Sequence, residues 1–252
     1  MSDVIIQTVL LIFIRVFSFI VVAPFFSQRG FPILAKIVVS FAITTGVLPT
    51  VPTLGQSYDL FVLGLFCVKE TLLGLALGYI CQLIFAGFEI AGHLIDFQVG
   101  FSMAQAYDSQ FQIMMSQFGK IYYWMGTALM FITNLHLMML QGLINSFKIV
   151  GLTQATLGGN GVDGLTHLVS MTIEMGFNLA APLVLSALLI DIVLGVISRS
   201  IPQINVLVMG LSVKSIFTFI VFMLLLPNLV SFLLKQIPNM IIYMREFLNT
   251  MK

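Results

Sequence analysis

"LFVLGLFCVKETLLGLALGYICQLIFAGFEIAGHLID", Leu60 to Asp96, is an apolar run carrying only Lys69, Glu70 and Glu89 before its terminal carboxylate. As one straight helix it would reach about 55 Å at 1.5 Å per residue, against a bilayer hydrocarbon core of about 30 Å. A segment of this length must bend, fold back on itself or project from a membrane. It is also too apolar for a water-soluble helix, which keeps one polar face. The run therefore predicts an integral membrane chain whose helices do not all follow simple crossings.

The rest of the chain agrees. Of its 252 residues, 59% are hydrophobic and 8% charged, where soluble proteins carry about 25% charged residues. The mean hydropathy is +1.08. Further apolar runs cover residues 4–25, 33–52, 121–147, 165–197 and 205–234, followed by a short amphipathic tail. Each is near or above the roughly 20 residues needed for a crossing. The formal net charge of +1 gives no hint of nucleic acid or of acidic ligands, and no nucleic-acid partner is expected. "MSDVIIQTVLLIFIRVFSFIVV" lacks a basic start and an A-x-A exit, so no cleaved leader is expected there. Cys67 and Cys81, on one helix, would stand about 21 Å apart, too far for a disulfide; they read as free thiols.

Breaks are marked by Pro24, Pro32, Pro49 and Pro52 early, and by Pro182, Pro202, Pro227 and Pro238 late. "GLTQATLGGNGVDG", Gly151 to Gly164, reads as an exposed flexible connector. Arg29 and Lys36 favour a cytoplasmic side for the first connection. Lys148, Lys235, Arg245 and Lys252 cannot all share that side in a six-span alternation. Helices that do not all cross lipid would produce that conflict.

Several charges fall inside or beside apolar runs: Arg15, Lys69, Glu70, Glu89, Glu174, Asp191 and Lys214. One Arg, Lys or Asp at the centre of a spanning helix costs about 2.5–3.5 kcal/mol. Such groups face protein or a wet cavity, or else snorkel to the headgroups. Snorkelling is open to Lys69, Glu89 and Lys214, while Arg15 and Asp191 lie deeper and call for a buried or pore-side position. Gly74 and Gly78 form a G-x-x-x-G spacing that lets two helix backbones approach. Catalysis finds no support: there is no H-E-x-x-H, G-x-S-x-G or nucleotide-binding glycine loop. His93, His136 and His167 read as structural or interface side chains. No enzyme and no cofactor are expected.

Between two apolar runs lies "FQVGFSMAQAYDSQFQIMMSQFG", Phe97 to Gly119, with five glutamines, three serines and a single formal charge, Asp108. It suits neither solvent nor lipid. On its residues alone it reads as an interfacial loop buried against a neighbour.

"LGVISRSIPQINVLVMGLSVKS", Leu194 to Ser215, is the most distinctive block. A polar elbow around Pro202 interrupts two apolar runs, and Gln203 and Asn205 can satisfy the freed backbone groups. Its wording, R-x-x-P-Q-x-N-V followed by Gly210 and Lys214, resembles the FliR/SctT family of type III export gates. "RVFSFIVVAPFFSQRGFPILAKIVVSFA" is similar to that family's first hairpin, and Lys69 to Ala104 to its central block. "TNLHL" resembles the short turn where the family has N-G-H. Ser109 and Ser212 stand where the family often has proline; Ser212 would leave the late helix straighter. Gly210 and the overall wording favour the flagellar branch over the virulence systems.

That resemblance implies an all-α integral membrane subunit of bent helical hairpins, one copy per heteromeric helical assembly. Its partners would be FliP-like and FliQ-like membrane subunits, a FlhB-like switch protein and unfolded export substrates. Residues 1–252 would form one membrane-embedded subunit, with 1–165 more FliP-like and 166–252 a FliQ-like hairpin and tail. The place would be the bacterial inner membrane, at the base of a flagellar or secretion apparatus. The segment after Gly100 would plug the channel, with Met103, Tyr107, Asp108, Phe111, Met114, Met115 and Phe118 as its residues. Flexible methionine side chains repack readily where a seal must part. Arg199, Pro202, Gln203, Asn205, Gly210 and Lys214 would contact neighbouring subunits. Arg15, Glu70, Glu89 and Asp191 would be polar groups buried or paired at such contacts, and Gly74 and Gly78 would pack helices. A rival reading is a polytopic secondary transporter using Arg15 and Asp191 at midplane; an intramembrane protease lacks a nucleophile motif.

Overall fold

The computed structural model describes residues 2–28, 30–101, 116–154, 160–200 and 206–251. All regular structure among these residues is helical: α1 Ser2–Val22, α2 Ile33–Val47, a 3-10 turn Leu48–Thr50, α3 Leu60–Val99, α4 Gln117–Ile132, α5 Leu135–Ile149, α6 Asn160–Ser200, α7 Val206–Gln236 and α8 Asn239–Thr250. Among these residues, five segments are long and apolar enough to cross a membrane, six where the bent pair α4–α5 is counted as one span.

Contacts divide the chain into two compact units. One holds Met1–Ile84, Met130–Val169 and Ile237–Lys252, the other Phe85–Leu129 and Ser170–Gln236. The first is built on α1, whose buried Leu11, Ile12, Val16, Phe19 and Ile20 recur at helical spacing. α1 stops where Pro24 follows it, and Phe25 takes a left-handed φ of 70° in the turn to α2. Edge-to-face contacts with Phe26, Phe31 and Phe131 hold that ring. The polar residues of α1 also have partners. Gln7 exchanges hydrogen bonds with the Tyr58 backbone, and the Leu54 N–H donates to Thr8 Oγ1, so residues 54–58 are strapped to the helix.

The long apolar run is one unbroken helix. α3 contains 40 residues, about 60 Å at 1.5 Å per residue, so folding back is excluded. Cys67 and Cys81 both lie on it as free thiols. The fourth run, by contrast, is two helices. α4 and α5 are bent by 78° at Asn134, which adopts a left-handed φ of 58°, a conformation asparagine tolerates. His136 packs beside Phe131 there, with ring centroids 4.7 Å apart. Beyond the bend, α5 packs on α8, each with one buried face: Leu135, Met139 and Leu143 on α5, Met240, Met244 and Phe247 on α8.

Two sequence expectations are corrected. Pro182 and Pro227 do not break helices; they lie inside α6 and α7. Stopping a helix in apolar surroundings would strand several backbone groups, whereas an internal proline removes one bond, so continuation is the cheaper outcome. Nor is the stretch from Gly151 wholly an exposed connector. Leu152 is buried, the Thr153 N–H donates to Glu70 Oε1, and α6 already begins at Asn160. A buried carboxylate needs donors, and this turn supplies one.

Candidate functional site

Three polar centres interrupt the apolar packing, and each is assembled within one of the two units. The deepest is centred on Arg15. Its side chain and that of Glu70 are both 0% exposed, and Arg15 Nε donates to Glu70 Oε2 at 2.5 Å. Arg15 Nη1 donates to the Val150 carbonyl at 3.0 Å and approaches Ser146 Oγ at 3.4 Å. The guanidinium carbon lies 4.4 Å from the Phe147 ring centroid, within cation–π range. One arginine thus ties α1 to α3 and to the C-terminal end of α5. Glycines make the approach possible. A Cβ on Gly74 would lie 2.4 Å from the Arg15 carbonyl oxygen, and one on Gly78 2.7 Å from that of Phe19. The G-x-x-x-G spacing therefore seats α3 against α1.

The second centre lies where α3, α6 and α7 bring Gln98, Asp191 and Lys214 together. Gln98 Nε2 donates to Asp191 Oδ2 at 3.0 Å, and Lys214 Nζ forms an ion pair with Asp191 Oδ1. Unlike Arg15 and Glu70, these side chains stay partly open, 38% for Asp191 and 19% for Lys214. Gly210 is buried on α7 near Leu194, and Arg199 is exposed in the last turn of α6. Glu89 is half-buried on α3 and forms no ion pair among the described residues.

The third centre forms the base of the segment that precedes α4. Residues 102–115 lie outside the described residues, and with them the expected positions Met103, Tyr107, Asp108, Phe111, Met114 and Met115. Pro202, Gln203 and Asn205 also lie outside. The flanks of the 102–115 segment are well defined. Phe118 is fully buried and its ring stacks on Phe219, 5.2 Å between centroids, and near Phe101 at 6.3 Å. Phe222 closes against both Phe118 and Tyr122. The start of α4 is capped twice over. Ser116 Oγ accepts from the Gly119 N–H at 2.9 Å, as an N-cap serine does. The buried carboxylate of Asp96 accepts from the Gln117 and Phe118 N–H groups, adding negative charge at the positive end of the helix. Three of its four unpaired amide donors are thereby satisfied. Close approach is again glycine-dependent: a Cβ on Gly92 would lie 2.0 Å from the Gly119 nitrogen.

Asp96 was not singled out from the sequence. Its signal was present in Ser116, a capping residue just ahead of an apolar helix, with a carboxylate closing the preceding run. Nothing local says that the two meet. Replacing Asp96 by Ala should leave the Gln117 amide and the buried Phe118 amide without acceptors and cost about 2 kcal/mol, read as a lowered unfolding midpoint in mild detergent. Asp96→Asn, which keeps an acceptor, should lose about half as much. Equal stability of all three proteins would show that water serves the amides instead.

Among the described residues, no three His, Cys, Asp or Glu side chains converge to hold a metal ion. The fold and its polar centres define a multi-pass helical membrane protein in which Arg15, Glu70 and Asp96 are buried against partners on other helices. Residues 6–240 match the family described as bacterial export proteins, family 1. The chain is 33% identical to flagellar biosynthetic protein FliR of Bacillus subtilis (strain 168) over 218 residues, 84% of this chain and 83% of the relative. It is 29% identical to the protein of that name from Escherichia coli (strain K12), over 78% of this chain and 76% of the relative. For the Aquifex aeolicus (strain VF5) protein the identity is 28%, over 90% and 88%. This chain belongs to the bacterial export proteins, family 1, and is a multi-pass protein of the bacterial inner membrane.

Proposed function

We propose that this chain is a non-enzymatic core subunit of the flagellar type III export gate. One copy joins FliP-like and FliQ-like membrane subunits and a FlhB-like switch protein, and together they form the channel for unfolded secreted proteins. The observation that carries this reading is the similarity to FliR proteins over most of both chains. Two features support it. Asp191, Lys214 and Arg199 remain partly or fully exposed on helices otherwise too apolar for water, which suits positions that neighbouring subunits cover. Arg199 to Lys214, with Pro202, Gln203, Asn205 and Gly210 between them, is the proposed contact region, with Glu89 and Asp191 as proposed polar groups at such contacts; Glu70, expected there too, is taken up inside the chain by Arg15.

The 102–115 segment is the proposed plug, together with Phe118. Its flanking residues, Phe101 and Ser116 to Phe118, meet in one aromatic and capped base, so the two ends of the plug would be held close together. Its composition, rich in glutamine and methionine with one charge, would exclude water without gripping a passing chain.

One experiment tests both parts. In cells lacking their own copy, this chain supplied with its FliP-like and FliQ-like partners should restore export of flagellar proteins. A variant lacking Ala104–Met115, which keeps Ser116 for the cap, should raise resting ion leakage through the assembled gate. Leakage equal to that of the full-length gate would rule out the plug. A lone chain that moves a small solute in vesicles, folded and active without companions, would overturn the subunit reading in favour of a transporter.

A further inference from the structure

A groove of about 420 Å³ opens between α5 and α8, a volume suited to a small ligand or a lipid headgroup. Its floor is apolar, with Ile149, Ile241 and Leu248, and its rim is polar, with Asn145, Lys148 and Arg245. The two helices meet at one side of it, where a Cβ on Gly142 would lie 3.3 Å from Met244 Sδ, and Cys81 Sγ approaches the same sulfur at 3.3 Å. Lys148 and Arg245 are exposed, and neither forms an ion pair among the described residues. The groove therefore carries two positive charges outside any ion pair above an apolar floor, with Glu246 the adjacent carboxylate on α8.

Its position identifies the occupant. Lys148 lies in the last turn of α5, at the end of the bent apolar pair Gln117–Ile132 and Leu135–Ile149, and Arg245 lies near the end of the apolar stretch Gly210–Asn249. α5 and the short amphipathic α8 thus pack side by side, each with one exposed cation at the groove, as basic side chains are where they rise to headgroup level. An anion at the end of α5 would ordinarily meet the negative pole of the helix. Here Arg15 Nη1 already occupies the Val150 carbonyl, which offsets that field.

We infer that the α5–α8 groove binds the phosphodiester headgroup of one anionic phospholipid, its phosphate held by Lys148 and Arg245 and its glycerol and upper acyl chain lying on Ile149, Ile241 and Leu248. Basic pockets between membrane helices recognise anionic headgroups in this way. The inference needs only that the chain is embedded in a membrane and is independent of the export-gate reading.

The test is native mass spectrometry of the full-length chain in mild detergent, titrated separately with phosphatidylglycerol and with phosphatidylcholine of the same acyl chains. The chain should retain one phosphatidylglycerol in preference to phosphatidylcholine. The doubly substituted Lys148→Gln/Arg245→Gln protein should lose about 30-fold of that preference, the ~2 kcal/mol that two basic groups near an anionic surface supply. The charge-preserving Lys148→Arg/Arg245→Lys protein should keep it, which separates loss of charge from loss of fold. Equal retention of the two lipids, or an unchanged preference after neutralisation, would overturn the site. Displacement of the lipid by inorganic phosphate at equal concentration would overturn it too, showing a site for a free anion rather than for a lipid.

Discussion

Replacing Glu70 by Ala should lower the stability of the purified chain by about 3–5 kcal/mol, the cost of removing one partner from a fully buried ion pair. The reason lies with what remains. With 0% of the Arg15 side chain exposed, its guanidinium would keep only Ser146, the Val150 carbonyl and the Phe147 ring. None of these carries a negative charge. The Thr153 N–H would lose its acceptor as well, freeing the turn after α5. The double replacement Arg15→Met/Glu70→Leu removes both charges and fills similar volume. It should recover most of the loss, because buried pairs contribute little net stability over well-packed apolar groups. Thermal unfolding of the three proteins in mild detergent measures this. If Glu70→Ala costs less than about 1 kcal/mol, water reaches the pair and its burial is not what matters.

A single methyl group at Gly92 should be nearly as damaging. The added Cβ would lie 2.0 Å from the nitrogen and 2.2 Å from the Cα of Gly119, and both are backbone atoms that no rotamer change can move. α4 would have to shift away from α3, pulling the Gln117 and Phe118 amides off Asp96 and disturbing the Phe118 stack. Overpacking of this kind costs about 1–3 kcal/mol, sometimes more, and here the lost cap adds to it. Gly64→Ala is the matched control. It lies on the same helix with nothing within 4 Å of the added carbon, so the better helix propensity of alanine should make it neutral or stabilising by up to about 1 kcal/mol. If the two variants unfold at the same temperature, the α3–α4 contact at Gly92 is looser than the backbone positions require.

Much of the architecture was legible because hydropathy acts locally. A run such as Leu60–Asp96 announces a buried or membrane helix whatever it packs against, and it proved to be one helix, α3. Hydropathy ran one apolar segment through the bend at "TNLHL", which was marked only by its resemblance to the family's short turn. Proline was less reliable. Pro24 and Pro238 sit at helix boundaries, but Pro182 and Pro227 are carried within helices, since apolar surroundings penalise a broken helix more than one missing hydrogen bond. The stretch from Gly151 looked free because glycine and small polar residues dominate it. Its first residues are instead held by a carboxylate 83 positions away in the chain.

Sequence alone determined that this is a helical membrane chain and that Arg15 and Glu70 could not stand unpartnered in apolar surroundings, for transfer free energy depends only on the group and its medium. The tertiary structure decided which partners they take. Arg15 meets Glu70 rather than the more distant Glu89, and Asp96 meets the start of α4. Those choices depend on how each helix is rotated and where glycines let two backbones touch. Such geometry is set jointly by residues 55 positions apart for Arg15 and Glu70, and no single stretch of chain contains it.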